Sequence, residues 1–415
     1  MAAGSRFRAI IKGAMAAERT ILREFPWEER YRVAGIEDVL TPALLLYPEI
    51  VASNIARTLH LLDGDANRWR PHFKTAKLMN TLRLLVEHGI RNFKCATTLE
   101  LLVACRGGAA DVLLAYPVVG PNARRVREIA DQFPDIRISV LLESEAQVRQ
   151  WQGGRLGIFL DINPGMNRTG IEQRRAGEIL RLIHAVTQAG LEFRGLHYYD
   201  AQHTSLEEPA RTAAAHAGYD LLLALVNEIQ RSGAGVEEVI TAGTPTFPCS
   251  LSYEGFRRGR FLHRVSPGTV VYGDATSLAQ LSSEFGYAPA ALVLTRVVSR
   301  PAEGVVTCDA GHKAVSADAG VPTCLVIGHP ELIPGRPSEE HLPMAMSAGT
   351  PGPELGEALY LLPRHVCPTV NNFDHAVLAR AGKIESVEKV SARGREAPLR
   401  TAGSTVSFAK QEAAG

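Results

Sequence analysis

A chain of 415 residues is too long for one small core and predicts two domains, or one large barrel with additions. With 46% hydrophobic and 21% charged residues it has the composition of a soluble globular protein, and a formal net charge of +1 excludes a strong field that would recruit nucleic acid or an acidic surface. Cys95, Cys105, Cys249, Cys308, Cys324 and Cys367 form no CxxC pair, which predicts a reduced, cytoplasmic setting, and no apolar run approaches the roughly 20 residues of a membrane helix.

Residues 1–41 carry Arg6, Arg8 and Lys12 around a short apolar patch at Ile10 and Ile11. That patch is too brief for a secretory signal, and Glu18 and Glu24 argue against a transit peptide, so the segment reads as a helical extension packed on the body. From residue 42 short apolar runs alternate with longer amphipathic ones. Candidate strands lie at 42–47, 68–73, 92–96, 111–115, 136–141, 157–161, 193–198 and 239–241. Helix-like stretches lie between them at 50–62, 76–87, 98–105, 122–133, 174–189 and 206–231, with spacings such as Ile179, Leu182, Ile183 and Val186. This alternation implies parallel strands with helical crossovers. The fold class is therefore α/β, with a (β/α)8 barrel over 42–284; a doubly wound open sheet is the alternative. After residue 285 the rhythm changes to strands at 290–298, 304–309, 323–328 and 358–363 with frequent Pro and Gly, which predicts a mostly β domain over 285–401. Residues 402–415 are small and polar and predict a frayed tail.

Barrel chemistry sits at the C-terminal ends of strands. The segment Arg70-Pro71-His72-Phe73-Lys74 ends the second candidate strand and puts Lys74 at that mouth, where a lysine can condense with an aldehyde cofactor. Arg168, after the sixth candidate strand, can hold an anionic oxygen or bridge two loops. Tyr198, Tyr199, Asp200, Gln202 and His203 cluster at the end of the seventh. Gly243 and Thr244 follow the eighth in a Gly/Thr-rich loop suited to phosphate, and Ser266, Gly268 and Thr269 can add donors. His365 and Cys367 form an H-x-C pair; on an extended segment alternate residues point the same way, which suits zinc and leaves positions open for water or substrate. An ordinary buried cysteine beside a satisfied histidine is the other reading.

Together these segments resemble the D-threonine aldolase and eukaryotic-type D-serine dehydratase family, of the alanine-racemase-like fold type of pyridoxal-phosphate enzymes. The resemblance runs from Leu40 to Gly394 through LTPALLLY, RPHFKTAK, KCATTLE, LLAYPVVGP, DINPGMNRTGI, TAGTPTFP, SPGTVVYGDA, CDAGHKAVSADAGVP, SEEHL, HVCPTVNNFD and VSARG. It implies that Lys74 bonds covalently to the cofactor, that Arg168 meets its phenolic oxygen and that Tyr199 lies against it. It further implies phosphate binding by Gly243 and Thr244 and a divalent metal, zinc before manganese or magnesium, on His365 and Cys367. Lys74 and Tyr199 are then the catalytic pair, with His72 among the cofactor contacts.

In this family aldolases look like H-x-D at the metal and dehydratases like H-x-C, so Cys367 favours β-elimination from D-serine or D-3-hydroxyaspartate. Retro-aldol cleavage and racemisation are the alternatives, and a barrel-only cofactor carrier is the non-catalytic one. Two positions depart from the pattern. Ala76 replaces the histidine of K-T-H-K, and Gln202 stands where Y-D/E-G-H has its histidine, with His203 one place late. The resemblance also implies a homodimer whose second domain completes the partner's site, with Asp309, His312 and Lys313 as candidates for the shared cleft. A substrate side-chain carboxylate would want a cation such as Arg257 or Arg258.

Overall fold

The structure is a computed structural model that describes residues 30–347, 349 and 351–399. Most of the predicted helical extension, residues 1–29, and the whole predicted tail, 402–415, lie outside the described residues. In chain order the first strands are β1 (Ala43–Leu46), β2 (Asn92–Cys95), β3 (Asp111–Leu114), β4 (Arg137–Leu142) and β5 (Gly157–Asn163). They are followed by the two-residue β6 (Ile171–Glu172), then β7 (Glu192–Tyr198), β8 (Glu238–Thr241) and β9 (Leu262–Val265).

The strands β2-β3-β4-β5-β7-β8-β9 form one parallel sheet, with β6 attached to β5. Residues 69–72 close it on itself: Trp69 bridges Val265 and His72 bridges Lys94, both in parallel sense. The Arg70 N–H donates to the Val265 carbonyl at 3.0 Å, and the Lys94 N–H donates to the Pro71 carbonyl at 3.0 Å. Pro71 has no N–H to give, which helps explain why this stave makes bridges rather than a ladder. The predicted (β/α)8 barrel is thus present, but its staves are counted differently. The predicted first strand, 42–47, is not in the barrel: β1 pairs antiparallel with residues 291–294 and parallel with 376–378 of the second sheet. The stave that replaces it is β9, which sequence patterning passed over. Every loop assigned above to barrel strand n therefore follows stave n − 1.

The second sheet contains β10 (Ala291–Ala302), β11 (Val305–Cys308), β12 (Cys324–Val326) and β13 (Ile333–Pro334). It continues with β14 (Leu342–Ala345), β15 (Ala358–Pro363), β16 (His375–Arg380) and β17 (Lys383–Lys389). Its order is β13-β14-β11-β10-β1-β16-β17, with β15 joining β10 to β12. The mostly β character expected after residue 285 is observed, with β13, β14 and the β16–β17 hairpin as additions.

Helices such as Pro121–Gln132 and Ala176–Gln188 bury one stripe, whereas Thr98–Arg106 is buried throughout from Glu100 to Cys105. In Ala176–Gln188 the buried residues are Ile179, Leu182, Ile183 and Val186, the 3,4-spaced set read from the sequence. Helix Thr98–Arg106 is held at its start by Thr97, whose hydroxyl accepts the Glu100 N–H at 3.0 Å, while the Glu100 carboxylate accepts the Ala96 N–H at 2.7 Å. Glu100 also takes a buried ion pair from Lys77 at 2.8 Å, so this helix start is tied to the loop that leaves the first stave.

The interior of the barrel away from the mouth is ionic. Arg70 bonds both Glu238, at 2.8 Å, and Asp111, at 2.9 Å; Arg194 bonds Asp111 at 2.7 Å; and Arg264 pairs with Glu238. The cluster is nearly closed to solvent, and each carboxylate serves at least two guanidinium groups. That sharing is what makes burial of the charges tolerable.

Candidate active site

The ends of the barrel strands open on a cleft of about 280 Å³. Ten of the eleven predicted site residues line it: His72 and Lys74 after the first stave, Tyr199 after β7, Gly243 and Thr244 after β8, and Ser266, Gly268 and Thr269 after β9, joined by His365 and Cys367 from the second sheet's side. The eleventh, Arg168, stands beside the cleft with its guanidinium 4.9 Å from the centre of the Tyr199 ring. Its loop is shaped by Asn163, whose side-chain oxygen accepts the N–H groups of Gly165 and Asn167, each at 3.0 Å.

The glycine-rich turns form a set of free donors. Gly243, Thr244 and Gly268 are buried, and among the described residues no protein acceptor takes their backbone N–H groups. Buried unpaired N–H groups are costly, and a bound anion would satisfy them. The Thr244 hydroxyl accepts the Thr269 N–H at 3.2 Å, joining the two turns. Ser266 contributes less than expected. Its hydroxyl donates to the Arg70 carbonyl at 2.9 Å and its N–H to Thr241 at 3.1 Å, so both donors are engaged inside the wall.

His365 and Cys367 meet by a different geometry from the one predicted. The segment is not extended: His365 precedes a short helix, Val366–Asn371, and Cys367 lies in its first turn. The two side chains nevertheless contact each other. Asp318 lies 2.6 Å from His365 Nδ1, which leaves Nε2 as the free ligand nitrogen. Cys367 Sγ lies 3.0 Å from the Thr75 hydroxyl, and its pKa falls below the ordinary thiol value because His365, Lys74 and Thr75 outweigh burial. Among the described residues no group of three His, Cys, Asp or Glu side chains is placed to hold a metal, so a metal on this pair would keep positions open.

Sequence reading missed three members of the site. Lys94, on β2, lines the cleft while being almost wholly buried. Its Nζ lies 3.3 Å from His197 Nε2, and His197 Nδ1 lies 2.7 Å from Asp161. These residues point inward from β2, β7 and β5, and the signal that was available is a charged residue at an inward position of an otherwise apolar strand. Burial, then Lys74, Arg168 and Arg70 working against Asp161, brings the Lys94 pKa down to about 7. His72 is held well below the usual imidazole range by burial and by Lys74 and Lys94, and so stays neutral.

Other candidates are elsewhere. Gln202 donates to the Pro164 carbonyl at 3.1 Å and lies 3.2 Å from His203; neither side chain lines the cleft. Asp309 accepts from Thr41 and Thr295 inside the β domain, and Lys313 pairs with Glu339 and Glu340. With His312 they stand outside the cleft of their own chain. Arg257 and Arg258 lie on the short helix Glu254–Arg258, also away from it.

Residues 49–276 match the family described as alanine racemase, N-terminal domain, and residues 290–379 match the putative serine dehydratase domain. The first match spans more than half of the chain, which belongs to the alanine racemase N-terminal domain family. Within it, the chain is 25% identical over 370 residues to a D-threonine aldolase from Arthrobacter sp, covering 85% of this chain and 93% of the relative. It is 22% identical over 375 residues to a D-threo-3-hydroxyaspartate dehydratase from Delftia sp. (strain HT23), covering 84% and 97%. Among solved structures, D-threonine aldolase from Filomicrobium marinum superposes with a TM-score of 0.78 at 28% identity, covering 86% of this chain and 96% of that one. Among the described residues no helix is long and apolar enough to cross a membrane.

Proposed function

We propose that this protein is a pyridoxal-phosphate-dependent lyase, assisted by a divalent metal, that eliminates water from a β-hydroxy D-amino acid such as D-serine or D-3-hydroxyaspartate and yields a 2-oxo acid and ammonia. The observation that carries this reading is the meeting, in one cleft, of Lys74, three buried N–H groups without a protein acceptor, and the His365–Cys367 pair. The names of the relatives support the substrate class; they include both aldolases and a dehydratase.

The residues fit both groups. The free N–H groups of Gly243, Thr244 and Gly268 suit a phosphate, and the Tyr199 ring offers a flat wall backed by Arg168. An imidazole and a low-pKa thiol suit zinc. When bound, pyridoxal phosphate withdraws negative charge from Cα, and the metal adds Lewis acidity at the substrate hydroxyl. Lys74 Nζ, at the mouth of the cleft, takes and holds the Cα proton. His72, neutral and adjacent, accepts the Lys74 backbone N–H at 3.4 Å and adds no competing charge. Arg168 offers its guanidinium to an anionic oxygen beside Tyr199. Gln202 carries no basic group and is tied to Pro164, so it cannot draw the β-hydroxyl proton that retro-aldol cleavage must remove. The family resemblance further supports a homodimer, and the six scattered cysteines without a CxxC pair support a cytoplasmic setting.

Borohydride reduction of the cofactor-loaded protein, followed by peptide mass spectrometry, tests the lysine. The pyridoxyl group is expected on Lys74; its recovery on any other lysine overturns the assignment. Cys367→Ala is expected to lower bound zinc to under a tenth of wild type, read by metal analysis, and to remove activity with it.

A further inference from the structure

Elimination of water moves two protons: one leaves Cα, the other must reach the departing oxygen. Lys74 accounts for the first. The second needs an acid in the same cleft, and Gln202 is not one. Among the titratable side chains lining the cleft, His72 is neutral, Tyr199 stands under the Arg168 guanidinium and is given to the cofactor face, Asp274 is committed to the Val366 and Ser277 N–H groups at 3.0 and 2.8 Å, and His365 and Cys367 are the metal pair. Lys94 is the ammonium left over.

Its setting is unusual for a buried lysine. Among the described residues its one side-chain hydrogen bond goes to a neutral acceptor, His197 Nε2, rather than to a carboxylate. His197 is oriented by Asp161 through Nδ1, so that Nε2 presents its lone pair to Lys94. The Tyr199 ring centre lies 5.6 Å from Nζ and 4.9 Å from the Arg168 guanidinium carbon. Lys74, Arg168 and Arg70 surround the amine with positive charge against the single carboxylate of Asp161, and burial strips its hydration. The surrounding positive charge and the burial favour release of a proton, while Asp161 and the hydrogen bond to His197 hold the ammonium in place until then. Lys77, the other buried lysine near this loop, differs: it is paired with Glu100 at 2.8 Å.

We propose that Lys94, oriented by the Asp161–His197 pair, is the general acid that protonates the departing β-hydroxyl. This rests on the proposed elimination. In the step, an Nζ–H bond of Lys94 breaks, an O–H bond forms on the substrate hydroxyl, and the Cβ–O bond breaks with its electrons on the oxygen, so that water leaves. The proton that Lys74 takes from Cα equals the one Lys94 gives, and exchange with solvent resets both amines. A general acid whose pKa lies near the working pH suits this task. His197 and Asp161 act through Lys94 and are positioning residues.

The test compares two leaving groups on one carbon skeleton with cofactor- and zinc-loaded enzyme. D-Serine needs a proton on its oxygen; β-chloro-D-alanine loses chloride, which needs none; both give pyruvate. Lys94→Met is expected to lower kcat on D-serine about 100-fold while kcat on β-chloro-D-alanine stays within about threefold of wild type. Lys94→Arg, which keeps the charge and cannot release a proton at this pH, is expected to behave like Lys94→Met. His197→Asn is expected to show the same selectivity with a smaller loss. Equal loss on both substrates, or rescue of D-serine turnover by Lys94→Arg, overturns the role of Lys94 and leaves the proposed function standing. A wild-type enzyme that releases a 2-oxo acid from none of D-serine, β-chloro-D-alanine and D-3-hydroxyaspartate overturns the proposed function and this step with it.

Discussion

A Cβ placed on Gly268 would lie 2.6 Å from the His72 carbonyl oxygen, a backbone atom that cannot swing aside. Gly268→Ala must therefore push its turn away from the stave that leads to Lys74. It is expected to weaken pyridoxal-phosphate binding at least tenfold, about 1.4 kcal/mol, measured by absorbance titration; unchanged affinity would show that the turn is no part of the phosphate site. At this scale the site was largely legible, because the residues that matter there are of informative types in informative places: Lys74 after a stave, Gly243 and Gly268 in turns, and Cys367 two places after His365. Lys94, His197 and Asp161 were not, since each lies within an apolar strand and only the fold brings the three together.

Strand β9 shows why one element escaped sequence patterning. Its two central residues are not apolar: Arg264 joins the ionic cluster inside the barrel, and His263, on the opposite face, packs on Phe256 with ring centres 4.3 Å apart and Nε2 2.8 Å from the Thr241 hydroxyl. A search for apolar runs cannot see such a strand. The β16–β17 hairpin escaped for a different reason: its outer strand alternates exposed residues with only partly buried ones, among them Ser386 and Glu388, and its turn uses Ala381 and Gly382, both at positive φ, without the usual Asn-Gly signature. The predicted first stave failed because β1 is apolar throughout, a pattern shared by any fully buried strand; its partner in the sheet is not written in it. Burial, with a small contribution from Arg68, lowers the His263 pKa to about 3. The folded value lies below the unfolded one of 6.5, so the unfolded chain binds the proton first as pH falls. Stability from this residue is complete above pH 6.5 and declines from there toward pH 3. His263→Gln is expected to lose about 2 kcal/mol less than wild type between pH 7 and pH 5 in urea titrations; parallel pH dependence of the two proteins would contradict this.

At the scale of the whole molecule, two structures depend on joining distant parts of the chain. The ionic cluster ties the first stave to β3, β7, β8 and β9 through Arg70, Asp111, Arg194, Glu238 and Arg264. Asp111→Asn leaves two guanidinium groups undercompensated, and is expected to cost about 3–5 kcal/mol of stability by chemical denaturation; a loss under about 1 kcal/mol would mean that Glu238 alone suffices. The cleft itself needs both sheets. Asp274, after the barrel's last stave, accepts the Val366 N–H at 3.0 Å, and the Thr276 hydroxyl donates to the Arg364 carbonyl at 2.8 Å, so the barrel positions the turn that bears His365 and Cys367. That junction explains why a lysine near residue 74 and an H-x-C pair near residue 366 form one site, and no spacing in the sequence announces it.

The central claim is elimination in this cleft, and it is read most directly from the products of D-threonine with enzyme loaded with pyridoxal phosphate and zinc. The account predicts 2-oxobutanoate and ammonia in equal amounts. Glycine and acetaldehyde instead would contradict it, and would mean that the proton of the β-hydroxyl is removed rather than a proton being delivered to its oxygen.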